Sequence, residues 1–600
     1  MRLADYVMQA LVGAGVTDLF LVTGGAAMHL NDAVGRCDGL RYICCHHEQS
    51  CAMAAESYYR LTGRLAAVNV TAGPGATNAI TGVFGAWTDS IGMIVLSGQV
   101  KTETLTPPQS ALRQLGDQEV DIVRMVAPIT KYAVTVTDAQ SIRYHLERAL
   151  HLAVSGRPGP VWLDIPINVQ ATEIEPETLS GYDPAEDITA YASDSATAAR
   201  EIIARLAASE HPVLMVGTGV RTAGAADVFL ALADAWGVPI VTAWNAHDLV
   251  PSGHPYYIGR PGTVGDRAGN FAVQNADFVL VLGCRLNIRQ ISYGWTNFAK
   301  GAFVALVDID AAELNKPTVK PDLSVHADVK TIISELLRIP PPTTDRFAPW
   351  LRWCRERRQR YPVVLPEYRA STGAVNPYVF VDELFRRLGN DAVVVCGDGT
   401  ACVTTFQAAE IKAGQRLYTN SGAASMGYDL PAAIGASIAG AENVVCLAGD
   451  GSIQMNIQEL ATIAGLNLPI KIFVLNNGGY HSIRQTQEAH FPGNIVGCGP
   501  DSQVFMPSFE RLAYAYGLPY FSSDSHDTLA AAIRHTLHTV GPVLCEIMLD
   551  QRQGFAPKLA SRRLPDGTMT SPSLEDMSPF LGRDEMAANV YGGKGIDGFL

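Results

Sequence analysis

The chain has 600 residues and 64.2 kDa, and 48% of its residues are apolar, enough for three or four packed domains and too much for a disordered chain. Charged residues make up only 17%, glycine reaches 55, and 45 basic against 59 acidic residues leave a net charge of −14. No Lys/Arg run is present, so neither a nucleic acid nor an acidic membrane is an expected partner.

The eleven cysteines are scattered without a CxxC pair, and several lie in strand-like apolar runs (Cys396 in VVVCGDG, Cys446 in VVCLAGD). A thiol there acts as a small core hydrophobe, which fits a reducing, cytoplasmic setting. The opening MRLADYVMQALVGAG reads as an amphipathic helix rather than a signal peptide. The longest uncharged stretch, 65–88, is too broken by Pro74, Gly, Asn and Thr to span a bilayer.

Residues 1–170 alternate apolar runs (DLFLV, LRYICC, LAAVNVT, IGMIVLSG, GPVWLDIP) with helical patterns. An acidic linker follows at 171–195. Residues 190–338 repeat the alternation with PVLMVGTG, GVPIVTAW, DFVLVLG and FVALVDID, and IPPPTTDRFAP breaks it. Residues 365–550 carry DAVVVCGDG, NVVCLAGDG, IKIFVLNN and GPVLCEIML. Residues 551–600, rich in Pro, Gly, Ser and Met, read as a tail lying over a surface or a partner. The predicted class is α/β, with three Rossmann-like, doubly wound domains built on parallel sheets.

The strongest chemical signal is GDGS at 449–452, followed by Asn476-Asn477. Asp450 ends one strand and Asn477 the next, with a helical stretch, IQMNIQELATIAG, between them. Both reach the carboxyl edge of the sheet, where open α/β folds bind ligands. A helix opening at Gly451-Ser452 would offer amides and a positive dipole to a phosphate. Asp450, Asn477 and the Gly479 carbonyl are hard oxygen donors suited to Mg²⁺ or Ca²⁺. A second GDG at 397–399 has no Asn pair at that distance and reads as a companion loop.

This pattern resembles the thiamine diphosphate enzymes of the acetohydroxyacid synthase and pyruvate decarboxylase superfamily, with their GDG and a later Asn pair. Further segments carry the likeness: HHEQSCAMAAESYYRLTG, GPGATN at 73–78, SGQV at 97–100 and SGAASMGYDLPAAIGA. The resemblance implies that Glu48 is the catalytic glutamate that hydrogen-bonds the aminopyrimidine; a helix N-cap is the plain alternative. It implies cofactor contacts at Gly25, Thr71, Gly75 and Asn78 in the first unit. In the third unit it implies contacts at Gly399, Thr400, Gly449, Asp450, Gly451, Ser452, Asn477, Gly479 and Tyr480. Ala424 would supply a carbonyl to the 4′-amino group and Met426 would support the bent cofactor, although a core methionine is also a plain reading. Mg²⁺ would rest on Asp450, Asn477 and Gly479. The family builds each site across two subunits, so a homodimer or homotetramer is implied.

The middle unit resembles the flavin domain of acetohydroxyacid synthases through VGTG (Gly217, Gly219), GCRLNIR (Arg285, Arg289), VDIDAAELNK (Asp308) and HADVK (Asp328). FAD is therefore expected, in a structural role; a vestigial dinucleotide domain is the alternative. At the acceptor positions the chain departs from acetolactate synthases. YPGGA becomes VTGGA at 22–26, Phe-Gln-Glu becomes Asp117-Gln118-Glu119, Met-His becomes Arg260-Pro261, and GMVRQWQ becomes HSIRQTQ at 481–487. Thr486 and Asp117 thus replace large apolar residues, which suits a larger and more polar acceptor.

With LPDGTMTSPSLEDMSPFL near the C-terminus, the chain looks similar to the acetolactate-synthase-like branch of sugar and polysaccharide biosynthesis, of the yersiniose-forming type. That implies decarboxylation of pyruvate and transfer of the two-carbon acetyl unit to a ketone such as a nucleotide-linked keto-sugar. Gln118 and His481, with Arg484, are the candidates for steering acceptor and proton; either could equally be a surface residue. Arg113, Arg260 and Arg484 are where positive charge for an anionic acceptor is expected. The competing readings are an acetolactate synthase that joins two pyruvates, a thiamine diphosphate decarboxylase or oxidase, and a non-catalytic paralogue.

Overall fold

The computed structural model describes residues 1–593 apart from 189, 343 and 564–567. The tail's residues 564–567 and 594–600 lie outside the described residues, as does part of the LPDGTMTSPSLEDMSPFL segment. Three six-stranded sheets account for the architecture. The first holds β1 (Asp18–Leu21), β2 (Arg41–Cys44), β3 (Ala67–Val70), β4 (Met93–Gln99), β5 (Tyr132–Thr135) and β6 (Pro160–Pro166). The second holds β7 (Pro212–Val216), β8 (Ile240–Thr242), β9 (Tyr257–Gly259), β10 (Phe278–Leu282), β11 (Phe303–Asp308) and β12 (Leu323–His326). The third holds β13 (Val393–Cys396), β14 (Arg416–Tyr418), β15 (Val444–Gly449), β16 (Ile470–Asn476), β17 (Tyr520–Ser523) and β18 (Val543–Met548).

Every strand pair within these sheets is parallel. Parallel strands covered on both faces must be apolar throughout rather than alternating. FVLVL in β10 and PVLMV in β7 are buried at every position for that reason.

The strand orders carry meaning. The first sheet runs β2-β1-β3-β4-β6-β5 and the third β14-β13-β15-β16-β18-β17, the same topology twice. The second runs β12-β11-β10-β7-β8-β9, the order of a dinucleotide fold with its switch point between β7 and β10.

First and third domains pack through two helices, Glu48–Thr62 and Asp429–Ile438. A Cβ on Gly435 would stand 2.1 Å from the Ala54 carbonyl oxygen, so glycine permits the close approach. Ser57 donates to the Ala432 carbonyl at 2.6 Å, and the Tyr428 hydroxyl donates to Glu56. Advancing along the first helix thus means retreating along the second: they are antiparallel.

The tail lies over the chain's own middle domain. Asn270 donates to the Leu574 carbonyl at 2.8 Å, and Tyr591 packs edge-on against Trp350 and His211. No helix among the described residues is long and apolar enough to cross a membrane.

One expectation is corrected here. The stretch after Asp450 is not a continuous helix but a short turn, Ile453–Asn456, and a separate helix, Glu459–Gly465. The Asn456 amide donates to the Gly427 carbonyl at 2.7 Å and its oxygen accepts from Gln458, side-chain bonds that compete with helix formation. No long helix dipole therefore opens at Gly451.

Candidate active site

β15 and β16 are neighbours in register, with Gly449 opposite Leu475, so Asp450 and Asn477 leave the sheet side by side. Asp450 is 1% exposed. Its Oδ2 accepts the Gly479 amide at 2.7 Å and its Oδ1 the Gly451 amide at 3.0 Å. Burial pushes its carboxyl up to about 6, against the pull of these amides. Asn477 spends its amide on the Thr400 hydroxyl at 3.0 Å, which leaves its carbonyl oxygen to offer. Gly479 has φ +127°, and a Cβ there would lie 2.1 Å from the Cys498 carbonyl oxygen, so only glycine makes this turn. The Tyr480 ring lies against Gly451, where a Cβ would be 2.4 Å away. Carboxylate, amide oxygen and peptide carbonyl form a donor set that fits a magnesium ion.

The companion loop joins this site. A Cβ on Gly397 would stand 2.3 Å from Asp429 Oδ2 and 2.9 Å from Ser452 Oγ. The Ser452 hydroxyl donates to Asp429 at 2.6 Å and accepts the Gly427 amide at 3.0 Å. Gly399, at φ +91°, opens the helix Thr400–Ala408. Three loops therefore converge beside Gly449, and Asp429 is a member that sequence reasoning missed, since nothing in GYDLP marks it. Ala424 sits in the left-handed region at φ +50°, with Met426 half-buried just after it. A left-handed alanine is backbone strain of the kind that gathers at working sites.

The first domain brings together a second group. Glu48 is 9% exposed at the start of its helix. Asn78 donates to Glu48 Oε2 at 3.0 Å, and a Cβ on Gly75 would stand 3.2 Å from Oε1. The Thr71 hydroxyl accepts the Ala26 amide at 3.2 Å, which seats the Gly24-Gly25 turn on it. Gln118 is exposed, at φ +61°, with its carbonyl over Gly73, where a Cβ would be 2.3 Å from it.

His481 stands apart from Glu48 and close to the Gly479 turn. Its Nε2 lies 2.6 Å from the Gln485 amide nitrogen and 3.3 Å from the Gln553 carbonyl, while Nδ1 is buried without a partner among the described residues. Burial holds its pKa below the usual value. The wall formed by Gln551 and Gln553 is another feature that the sequence did not reveal: Gln551 stands over Gly478, where a Cβ would meet it at 2.7 Å.

The arginines differ from expectation. Arg260 is 4% exposed, and its guanidinium donates to Tyr257 and to the Phe406 and Ala409 carbonyls. It ties the middle domain to the Thr400–Ala408 helix and is buried on these acceptors rather than held free for an anionic acceptor. Arg484 is paired with Asp501. Arg113 is exposed.

At the β7/β10 switch point of the middle domain, a cavity of about 340 Å³ is closed on its far side by first-domain residues such as Asp89 and Arg157. Gly217, Gly219, Arg285, Asp308 and Asp328 all line it, together with Trp244. A Cβ on Gly217 would stand 2.3 Å from the Gly283 carbonyl oxygen, so glycine is needed for the two βα turns to pack. Asp308 is pushed up by burial. Asp328 caps the helix Val329–Arg338 through the Lys330 and Thr331 amides. The buried indole N–H of Trp244 has no partner among the described residues. Arg289 is placed differently: it lies over the Trp244 ring at 5.2 Å, facing Asp398 of the companion loop. Trp244 in turn stacks on Phe406 at 4.7 Å.

Comparison with known proteins accords with this geometry. Residues 1–125 match the family model described as thiamine pyrophosphate enzyme, N-terminal TPP binding domain. Residues 199–336 match the central domain, and 397–547 the C-terminal TPP binding domain. The chain is 33% identical to the acetolactate synthase large subunit of Lactococcus lactis, over 93% of this chain and 94% of that protein. It is 30% identical to the acetolactate synthase isozyme 1 large subunit of Escherichia coli K12, over 92% and 95%. It is 31% identical to the chloroplastic acetolactate synthase 1 of Zea mays, over 93% and 87%. The chain belongs to the thiamine pyrophosphate-dependent enzymes, in their acetolactate synthase-like family.

Proposed function

We propose that the protein is a carboligase that takes pyruvate as donor and transfers its two-carbon unit to a carbonyl acceptor. The observation that carries this reading is the pair of half-sites: Glu48 held by Asn78, and Asp450 set beside Asn477 and the Gly479 carbonyl. Thiamine diphosphate, when bound, supplies the electron sink that lets the carboxylate leave as CO₂. The chain's residues do the rest. Asp450, Asn477 and the Gly479 carbonyl would hold the magnesium that carries the diphosphate. Ser452 and the amides around Gly399 would flank it. Glu48 would exchange a proton with the aminopyrimidine nitrogen.

Two copies would complete one site. The antiparallel pairing sets Glu48 near the Ile438 end of its partner helix, where Arg41 donates to the Ile438 carbonyl. Asp429 and Ser452 lie at the opposite end, roughly 15 Å along the pair at 1.5 Å per residue. One chain's Glu48 therefore needs another chain's Asp450. Met28, Tyr42, Phe84, Trp87 and Met455, each between 38% and 55% exposed, offer apolar surface for that second copy.

A second molecule of pyruvate is the acceptor favoured by the names of the relatives. A bulkier, hydroxylated ketone, such as a nucleotide-linked keto-sugar, is the second reading. Its support is that Asp117 and Thr486 are exposed and polar, the Thr486 hydroxyl donating only to the Ser482 carbonyl of its own helix among the described residues. Its weakness is the lack of a free guanidinium at Arg260. Labelled pyruvate incubated with and without ketones separates the two. Acetolactate as main product supports the first, and a branched tertiary alcohol formed only with a ketone supports the second. Formation of neither product, with or without a ketone, would overturn the carboligase reading.

FAD is proposed for the middle cavity, in a structural role. The unpartnered Trp244 N–H, the glycine turns and Arg285 fit a dinucleotide's phosphates and ring edges.

A further inference from the structure

The Ser97-Gly98-Gln99 segment ends β4, the first-domain counterpart of β16, which delivers Asn477 in the third. It touches neither Glu48 nor Asn78, yet it is wholly buried: Ser97 is 0% and Gln99 2% exposed. Gly98 exists for a close approach, since a Cβ there would be 2.2 Å from the Ala26 carbonyl oxygen. That contact fixes the Gly24–Ala26 turn.

Gln99 faces the other way. Its amide donates to the Val120 carbonyl at 3.0 Å and to Asp164 Oδ2 at 3.1 Å, and its oxygen accepts the Val100 amide at 2.9 Å. Asp164, 1% exposed on β6, also accepts from Ser97 at 2.6 Å and Thr135 at 3.1 Å, and Trp162 donates to Ser97 at 2.8 Å. The Gln99 amide is thereby oriented: the Val120 carbonyl can only accept, so the NH₂ must point at it, and the second N–H reaches Asp164 Oδ2 beside it.

Among the described residues, the other hydrogen bonds of 106–119 stay within the loop. Glu119 accepts from Thr106, Leu115 and Gly116, folding 106–119 into a pad. Leu112 and Leu115 on that pad are more than half exposed. Two residues before Val120, Gln118 lays its carbonyl over Gly73, at the start of the turn whose Gly75 and Asn78 meet Glu48. A continuous chain of contacts thus runs from Asp164 through Gln99 and Val120 to Gln118 and the Glu48 turn.

We propose that Gln99, oriented by Asp164, is a positioning residue that anchors the 106–120 pad to the sheet and sets Gln118 over the turn that holds Glu48. This rests on the thiamine diphosphate reading of Glu48 for its catalytic consequence, but the anchor itself does not.

The test uses the full-length enzyme with Gln99→Met, which keeps the volume and removes the amide, and with Gln118→Ala and the double variant. Gln99→Met lowers kcat for pyruvate-dependent CO₂ release about tenfold, and the double variant is no slower than Gln118→Ala, because one residue acts through the other. Multiplicative losses in the double variant, or a wild-type rate in Gln99→Met, overturn the proposal. Amide exchange over residues 105–121 reads the anchor independently of activity: Gln99→Met speeds it, and unchanged exchange overturns the proposal. If wild type binds no thiamine diphosphate yet the exchange responds, it is the function assignment that has failed. Should Gln99→Met not fold, Gln99→Glu serves with the same readouts, since a carboxyl has at most one proton to donate and cannot bond both the Val120 carbonyl and Asp164.

Discussion

The Asp450 carboxylate accepts the Gly479 amide at 2.7 Å, so the residue that would anchor a metal also fixes the turn that presents the third ligand. Changing either end alters the other. Gly479→Ala places a Cβ against the Cys498 carbonyl and strains a left-handed residue, a cost of about 1–3 kcal/mol. The expected outcome is a lower melting temperature together with at least tenfold weaker magnesium-dependent binding of thiamine diphosphate. Calorimetric titration checks it, and unaltered binding would show that the Gly479 carbonyl is not a ligand.

Arg60, Glu56 and Asp89 form a buried ion cluster, with side chains 7%, 1% and 7% exposed. Arg60 donates to both carboxylates, and Asp89 also accepts the Gly422 amide of the third domain at 2.9 Å. Arg60→Met leaves two carboxylates buried without their cation. It is expected to destabilise the protein by about 3–5 kcal/mol, because the uncompensated charges rather than the lost attraction dominate. Denaturant unfolding measures this, and a variant as stable as wild type would contradict it.

The dependence of stability on pH should have two opposing limbs. Asp164 is pushed up to about 7 by burial, from 3.8, against the bonds from Ser97, Gln99 and Thr135. A raised pKa contributes stability that is fully present below 3.8 and is lost as pH rises through about 7. His247 is held well below 6.5 by burial, with the Arg260 charge adding to it. Its neutral form is favoured in the fold, so its contribution is present above 6.5 and lost as pH falls. Asp164→Asn should flatten the loss of melting temperature as pH rises from about 4 to about 7, and His247→Phe the loss below 6.5. Unchanged profiles would mean that other groups govern the titration.

Arg285 lines the middle cavity with no hydrogen-bonded or ionic partner of its own among the described residues. If the middle cavity holds FAD as proposed, wild type is expected to purify with flavin absorbance and Arg285→Leu without it, at nearly unchanged stability of the apoprotein. Flavin retained at wild-type stoichiometry would remove Arg285 from the proposed phosphate contact.

Much of this was legible in the sequence, for physical reasons. Buried parallel strands must be apolar throughout, so DFVLVL and NVVCLAG declare themselves. The GDG and Asn pair sit at strand ends that the fold makes adjacent, so their spacing encodes a contact. What was hidden depends on partners far away in the chain. Arg260 looked like a free cation because its acceptors, the Phe406 and Ala409 carbonyls, are almost 150 residues on. The antiparallel pairing of Ala54 with Gly435 is set by a single close approach that no local pattern announces. The break at Asn456 followed from a side-chain bond to Gly427, not from helix propensity.

The most direct test of the central claim is CO₂ release from pyruvate by protein loaded with thiamine diphosphate and magnesium, wild type against Glu48→Gln. The substituted side chain keeps the shape and the Asn78 neighbourhood but cannot exchange the proton. The account predicts steady release by wild type and a fall of about 100-fold or more in the variant, with cofactor still bound. Release at the wild-type rate from Glu48→Gln would contradict it.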